Sequence, residues 1–396
     1  MSALENAKQM TGEEVIAKIA SSGIKEYGIY REPVADRWRR VLSESGNEIK
    51  VITSLNNADT TGILLEVLEK NTQQVLDGME IAAHALNTNV MELYIPEYAA
   101  ELAAKVEPLA KERGIKVITG MLDIRDSEKH SLNHIVTMKQ ISDCMDGNNE
   151  AGIYISVNGA PLKLYPDAQT LADIAGTKEC KAVELGYQFY PASVLEKTLG
   201  EVAIPNGVFR ILTDENCMIH EVEERVAASR KQSCGKCVFC REGLIQLHGM
   251  VKDIADGKGK NEYTDIIEEI GSAMIYSTPC SVGQESAKSA LSSIEYFAGE
   301  YEDHIKKKHC AANVCGSFQA IYIDPLTCEG CEECMDVCPV DCIEGKKGFI
   351  HMIDEFECTK CGKCVAACEY EAIIQTSGRV PKLPDRLIKC GKFKKH

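Results

Sequence analysis

The chain has 396 residues, with 44 Lys and Arg against 60 Asp and Glu and a formal net charge of −16. That length predicts two to four domains, and the acidic balance argues against nucleic acid as a partner. Nineteen cysteines, a polar Met1 to Gly12 without the apolar core of a signal peptide and no bilayer-length apolar run predict a cytoplasmic protein in a reducing, anaerobic setting, with metal ligation rather than disulfides.

Residues 13 to 115 alternate helical and strand-like patterns. Val51-Ile-Thr-Ser-Leu55, Met91-Glu-Leu-Tyr-Ile95 and Lys116-Val-Ile-Thr119 read as strands, with amphipathic helices over 62 to 87 and 97 to 113. This predicts a small α/β unit with parallel strands. Residues 124 to 150 are polar and irregular apart from a helix around 135 to 145. From Gly152 the chain alternates into an Asn158-Gly159 turn, a hairpin signal. With a short helix at Gln169 to Ile174, this predicts a β-grasp module over 151 to 226. Two apolar stripes, Ile245, Leu247, Met250, Val251 and Ile254, then Ile266, Ile267, Ile270 and Met274, predict a helical hairpin within a bundle at 227 to 305. A linker at 306 to 318, a two-cluster ferredoxin module at 319 to 376 and a polar tail at 377 to 396 complete the chain. The boundary of the first domain falls at residue 150.

The cysteines carry the chemistry. Cys328, Cys331, Cys334 and Cys338 form one C-x2-C-x2-C-x3-C run; Cys358, Cys361, Cys364 and Cys368 form another. In bacterial two-cluster ferredoxins the fourth cysteine of each such run ligates the other cluster. Cys328, Cys331, Cys334 and Cys368 are therefore assigned to one [4Fe–4S] cluster, and Cys358, Cys361, Cys364 and Cys338 to a second. Structural zinc, the alternative, prefers two separated CxxC pairs. A third block, Cys234, Cys237 and Cys240, supplies three thiolates. The helical hairpin returns Cys280 to their neighbourhood, which predicts a third [4Fe–4S] cluster. Cys144, Cys180 and Cys217 read as buried free thiols, and Cys390 as exposed or disordered in a lysine-rich tail.

This order of modules, with Ser233-Cys-Gly-Lys-Cys-Val-Phe-Cys-Arg-Glu-Gly243 in the bundle, resembles the NADH- and FMN-binding subunit of NADH:quinone oxidoreductase. With the appended ferredoxin it looks most like the beta subunit of electron-bifurcating [FeFe]-hydrogenases. The resemblance covers about residues 20 to 376 and implies an SLBB-like character for the β-grasp module. It also implies a bundle cluster, on Cys234, Cys237, Cys240 and Cys280, that takes electrons from FMN.

The family's flavin motifs are eroded. Its glycine-rich loop aligns with Gly23 to Trp38, where Trp38 is kept and most glycines are replaced. Side chains there obstruct backbone approach to a phosphate, and Glu26, Glu32 and Asp36 add negative charge where the FMN phosphate would lie. The nucleotide motif shrinks to Asn57-Ala-Asp59-Thr-Thr-Gly62, a third motif is missing, and Asn133-His-Ile-Val-Thr is a remnant of Asn-Asn-Val-Glu-Thr. A truncated scaffold without FMN is expected.

Cys310 and Cys315, with the later His351, make three quarters of a tetrahedral zinc site; His309 and Cys342 are candidates for the fourth ligand. In the relatives a comparable cysteine pair precedes the ferredoxin and a histidine sits at the position of His351.

The fold expected is thus α/β plus α+β multidomain. The function expected is an iron–sulfur electron-transfer subunit without a catalytic residue of its own. Expected partners are other redox subunits, namely a flavoprotein, a thioredoxin-like [2Fe–2S] subunit or a hydrogenase-type catalytic subunit, together with soluble ferredoxin. The alternative is an FMN-dependent NADH dehydrogenase (diaphorase) subunit of a bifurcating hydrogenase or related NAD-linked complex.

Overall fold

The computed structural model describes residues 2–44, 48–123, 130–148, 152–376 and 380–394. Its N-terminal sheet has four parallel strands, β1 (Val51–Ser54), β2 (Met91–Ile95), β3 (Ile115–Thr119) and β4 (Ser131–His134), in the order β3-β2-β1-β4. Every residue of β1 is buried, as expected for a strand covered on both faces. Helices Thr72–Ala85 and Ile135–Met145 pack on the sheet and on each other. Gly78 lies at their crossing: a Cβ there would stand 2.0 Å from the Met138 carbonyl oxygen.

β4 falls where the sequence reads as irregular. It carries Ser131, Asn133 and His134, all buried, so no apolar alternation marks it. Ser131 and Asn133 are satisfied internally instead. Asn133 Oδ1 accepts from Ser131 Oγ at 2.7 Å and from Trp38 Nε1 at 3.5 Å. The helix expected around 135 to 145 is Ile135–Met145, while 124–129 and 149–151 of the irregular span lie outside the described residues. Because β2 and β4 flank β1 on opposite sides, the strand order reverses there. Such a reversal opens a crevice beyond the carboxyl ends of the two strands.

A second, five-stranded sheet follows. It comprises β5 (Ile153–Val157), β6 (Lys163–Tyr165), β7 (Ala182–Leu185), β8 (Gln188–Pro191) and β9 (Val208–Leu212), in the order β6-β5-β9-β7-β8. Only β5 and β9 pair in parallel. Asn158 and Gly159 turn the first hairpin with φ of 49° and 77°, the left-handed conformation those residue types tolerate. Helices Met218–Gln232, Val238–Ala255, Tyr263–Ser277, Ser281–Glu285 and Lys288–Glu302 follow.

The chain divides into two compact units. One comprises Met1–Thr213, Glu224–His248 and Asp265–Tyr296; the other comprises Asp214–Glu223, Gly249–Thr264 and Phe297–His396. Within the second, β10 (Ala320–Ile323) pairs antiparallel with β13 (Ile373–Thr376), and β11 (Ile343–Glu344) with β12 (Met352–Ile353). Short helices Glu333–Asp336 and Lys363–Ala367 complete a pseudo-symmetric, ferredoxin-like module. The tail departs from expectation. Ile350 N–H donates to Ile388 O at 2.9 Å, Cys390 N–H to Gly348 O at 3.1 Å, and Ile388, Cys390 and Phe393 pack on the module's core. Apolar residues interleaved with lysines dock this segment, so Cys390 is half-buried rather than disordered. No helix among the described residues is long and apolar enough to cross a membrane.

Candidate metal centres

The first unit brings Cys234, Cys237, Cys240 and Cys280 together. Burial pushes the Cys240 thiol up, and Cys280, Cys234 and Cys237 push it further. Cys280 is likewise raised by burial, opposed by the N–H groups of Gly283 and Val282 and reinforced by Cys234 and Cys237. Thiols that raise one another in this way lack compensating positive charge, which is what an iron cluster supplies. Cys280 caps the short helix Ser281–Glu285. Gly283 is required there, since a Cβ would stand 2.2 Å from Thr278 Oγ1. The Asn57-Ala-Asp59 segment is tied to the same place. Ala58 N–H donates to Ser281 Oγ at 3.2 Å, and Gln232 Nε2 donates to the carbonyls of Asn57 and Asp59 at 2.7 and 2.9 Å. Asp59 Oδ1 closes the local turn, accepting from Thr61 N–H, Thr61 Oγ1 and Gly62 N–H.

In the ferredoxin-like module two sets of cysteines separate. Cys328, Cys331, Cys334 and Cys368 line one small cavity, and Cys338, Cys358, Cys361 and Cys364 another. Burial, with Cys328 and Cys331 beside it, pushes Cys334 up to about 12. Backbone N–H groups point at the sulfurs, Lys360 N–H at Cys358 Sγ and Ala372 N–H at Cys368 Sγ, each 3.4 Å away. Cys342 lines the second cavity, 3.5 Å from Cys338 Sγ.

The zinc reading needs correction. Cys310 and Cys315 do meet, but with Cys217 and His304; the four ligand atoms lie within 4.8 Å of one another and all four residues are buried. His351, His309 and Cys342 are not in the group. His351 instead lines the cavity of Cys328, Cys331, Cys334 and Cys368, 1 % exposed and with Nε2 unpartnered. Cys217 Sγ is 3.3 Å from His304 Nε2 and 3.6 Å from Cys315 Sγ, and Cys315 Sγ is 3.5 Å from His304 Nε2. Zinc bonds of about 2.3 Å to sulfur and about 2.0 Å to nitrogen give tetrahedral edges of roughly 3.8 Å and roughly 3.5 Å. The observed spacings fit. A cubane spreads its thiolates over separate iron atoms and needs a wider set.

His304 sits in a π-helical turn, Asp303–Lys307, with its Nδ1 2.8 Å from Glu300 O. An Nδ1–H donated to that carbonyl leaves the Nε2 lone pair facing the thiols, the tautomer a metal ligand requires. Burial opposes protonation of His304, yet its contacts with Cys217 and Cys310 outweigh it and hold the imidazole up to about 10. Cys310 is driven down by hydrogen bonds from Cys217 and Cys315, while the same cluster drives Cys315 up. Without a cation the four groups must share protons. Sequence spacing could not reveal Cys217 and His304, because they stand 87 residues apart with no local motif.

The crevice at the ends of β1 and β4 gathers residues of the segments Gly23 to Trp38, Asn57 to Gly62 and Asn133 to Thr137. A cavity of about 180 Å3 lies there, with Tyr30, Arg37, Asn56, Asn133, His134 and Ser281 in its wall. A second, of about 170 Å3, includes Arg31 and Asp167. Glu26 and Tyr27 line both. Each is smaller than the roughly 300–1,000 Å3 usual for small-molecule sites.

Residues 221–304 match the model of the NADH-ubiquinone oxidoreductase-F iron-sulfur binding region. Over this region the chain is similar to that family. Residues 320–375 match a 4Fe-4S dicluster domain. NADP-reducing hydrogenase subunit HndC of Solidesulfovibrio fructosivorans is 30% identical over 213 residues, 54% of this chain and 42% of that protein. The F component of the Streptomyces coelicolor NADH-quinone oxidoreductase is 33% identical over 97 residues, 24% of this chain and 22% of that protein. The chain thus spans less than half the length of these curated relatives. The fold is shared with an NAD+-reducing [NiFe]-hydrogenase in its H2-reduced state, at a TM-score of 0.65 and 17% identity, covering 76% of this chain and 64% of that one.

Proposed function

We propose that the protein is an electron-relay subunit of a larger oxidoreductase, holding three [4Fe–4S] clusters and one structural zinc. The observation that carries this reading is the convergence of three four-thiol sets: Cys234, Cys237, Cys240 and Cys280; Cys328, Cys331, Cys334 and Cys368; and Cys338, Cys358, Cys361 and Cys364. When bound, such clusters supply one-electron transfer without bond making or breaking. The chain's own part is to hold the thiolates, bury part of each set and direct backbone N–H groups at sulfurs such as those of Cys358 and Cys368. Hydrogen bonds, burial and charge of this kind set cluster potentials. Cys217, His304, Cys310 and Cys315 would hold zinc, with Glu300 O fixing the His304 ring.

In this reading the first 150 residues are a truncated flavin-subunit scaffold. The five-stranded sheet is a β-grasp module, the cysteine-bearing helices hold the bundle cluster, and the ferredoxin module faces a second redox partner. Its partners would be a flavoprotein, a [2Fe–2S] subunit or a hydrogenase-type catalytic subunit in the cytoplasm. The names of the relatives, subunits of NADH- and NADP-linked enzymes, support that assembly.

Anaerobically prepared protein should contain about twelve iron and twelve sulfide per chain, the content of three cubanes, and no stoichiometric flavin. It should reduce no dye with NADH alone. Stoichiometric FMN together with NADH-driven dye reduction would replace this reading with a flavin-dependent NADH dehydrogenase subunit. Folded protein with negligible iron would remove both.

A further inference from the structure

Glu26 is buried, 6 % exposed, in a wall of the crevice, and its carboxylate is fully engaged. Oε2 accepts from Asn133 Nδ2 at 2.7 Å. Oε1 accepts from Thr137 Oγ1 at 3.0 Å and from the backbone N–H of His134. His134 is the N-cap of the eleven-residue helix Ile135–Met145, so this carboxylate rests on the first turn of a helix, where free N–H groups and the helix dipole favour an anion. Thr137 Oγ1 accepts from Tyr27 N–H at 2.9 Å, which turns its hydroxyl hydrogen toward Glu26. Burial pushes the Glu26 carboxyl up, and the nearby Arg37 guanidinium and the hydrogen bonds from His134 N–H, Asn133 and Thr137 oppose that by favouring the charged form. A side-chain amide, a hydroxyl and a helix N-terminus converging on one point, with a guanidinium nearby, are the donors a phosphate monoester uses.

A second observation points to a ligand of the same kind. His134 Nδ1 accepts from Val136 N–H at 3.1 Å, so Nε2 of the neutral ring carries the hydrogen. That Nε2 is buried and unpartnered, and His134 lines the cavity of about 180 Å3 beside Glu26. A donor with nothing to donate to, in a cavity next to an anion cradle, belongs to a site made for an acceptor-rich ligand.

We infer that this crevice is a phosphate-monoester site sealed from within: Glu26 replaces the ligand's phosphate on Asn133, the His134 N–H and Thr137, and Glu26 with Tyr27 divides the remaining space. Flavin mononucleotide therefore does not fit. Its phosphate would meet a carboxylate already holding the donors, and each remaining cavity is smaller than the roughly 300–1,000 Å3 usual for a small-molecule site. The inference rests on the relay reading and adds to it a specific cause: one side chain keeps the scaffold closed.

The test is a gain of binding in the full, cluster-loaded chain. Glu26→Ala frees the donors and opens the wall, while Glu26→Gln keeps a side chain in the cradle. Inorganic phosphate should raise the melting temperature of Glu26→Ala saturably, at least about tenfold more tightly than it acts on wild type or Glu26→Gln, and chloride at equal ionic strength should not. Thr137→Val added to Glu26→Ala should cancel the gain. FMN should outcompete riboflavin for the opened site. If Glu26→Ala is poorly folded, phosphate should restore it; failure to restore overturns the inference. So does a folded, flavin-free Glu26→Ala that ignores phosphate, an outcome that leaves the relay reading intact. Stoichiometric FMN in the wild type overturns both.

Discussion

His304 Nε2 lies 3.3 Å from Cys217 Sγ, a residue 87 positions earlier in the chain. With Cys310 and Cys315 the pair closes a buried four-ligand group, and this has a direct analytical consequence. Cys217→Ser and His304→Ala should each lower zinc from about one per chain to near zero while iron is unchanged, because a tetrahedral site rarely survives loss of a ligand. His351→Ala should keep its zinc. Elemental analysis of the three variants decides the ligand set, and zinc lost from His351→Ala but kept in His304→Ala would reverse it. Metal-linked stability of several kcal/mol should go with the zinc, read as a fall in the denaturation midpoint of the second unit.

The same pair shows where sequence reading stops. The three four-thiol sets are legible because each takes three thiols from one short turn, and the ferredoxin pattern also names the distant fourth in two of them. Cys217 and His304 come from separate helical segments, and only folding makes them neighbours. His351 is the more attractive candidate in the sequence because the family that the chain resembles carries a histidine at that position. β4 is hidden for a related reason: Ser131, Asn133 and His134 are buried polar residues, with Asn133 held by Ser131, Glu26 and Trp38, so the strand lacks the alternation that exposes other strands. The docking of Cys390 is illegible because lysines mask the apolar residues that anchor the tail.

His134 gives the first unit an acid sensitivity of known sign. Burial lowers its pKa from 6.5 to about 3. Between those values the unfolded chain binds a proton that the folded chain does not, so stability is fully present above pH 6.5 and falls as pH drops toward 3. The slope approaches about 1.4 kcal/mol per pH unit. Wild type should lose about 1 kcal/mol between pH 7 and pH 5.5 relative to His134→Asn, which keeps an N-cap acceptor without the titration. Anaerobic denaturant titrations at the two pH values measure the difference. Equal pH dependence in both proteins contradicts a neutral, buried His134.

Gly78 separates helix propensity from packing. Alanine is intrinsically better in a helix by about 1 kcal/mol, so an exposed site would gain. Here the new Cβ would stand 2.0 Å from Met138 O and 2.6 Å from its carbonyl carbon, which are backbone atoms that cannot rotate aside. Helices Thr72–Ala85 and Ile135–Met145 must move apart, and overpacking of this kind costs about 1–3 kcal/mol. Gly78→Ala should therefore lower stability by about 1 kcal/mol net. Gly249, which has open space around its would-be Cβ and also lies inside a helix, serves as the control and should gain from the same change.

Cys280 and Gly283 test whether the bundle site depends on backbone as well as thiolates. Cys280→Ser removes one of four ligands and should lower iron by about four per chain, the content of one cubane, with the two ferredoxin sets retained. Gly283→Ala leaves every cysteine in place. Its Cβ would meet Thr278 Oγ1 at 2.2 Å and Thr278 Cβ at 2.5 Å, pushing apart the two sides of the turn that presents Cys280. The Gly283 and Val282 N–H groups that favour the Cys280 thiolate would move with it. Gly283→Ala should thus lose the same four iron atoms in part, and the low-temperature electron paramagnetic resonance signal of that cluster should weaken selectively after dithionite reduction. Thr278→Gly combined with Gly283→Ala removes every clashing side-chain atom and should recover much of the signal. Full iron and an unchanged spectrum in Gly283→Ala would show that the turn tolerates the extra carbon, and that Cys280 is held by its ligation alone.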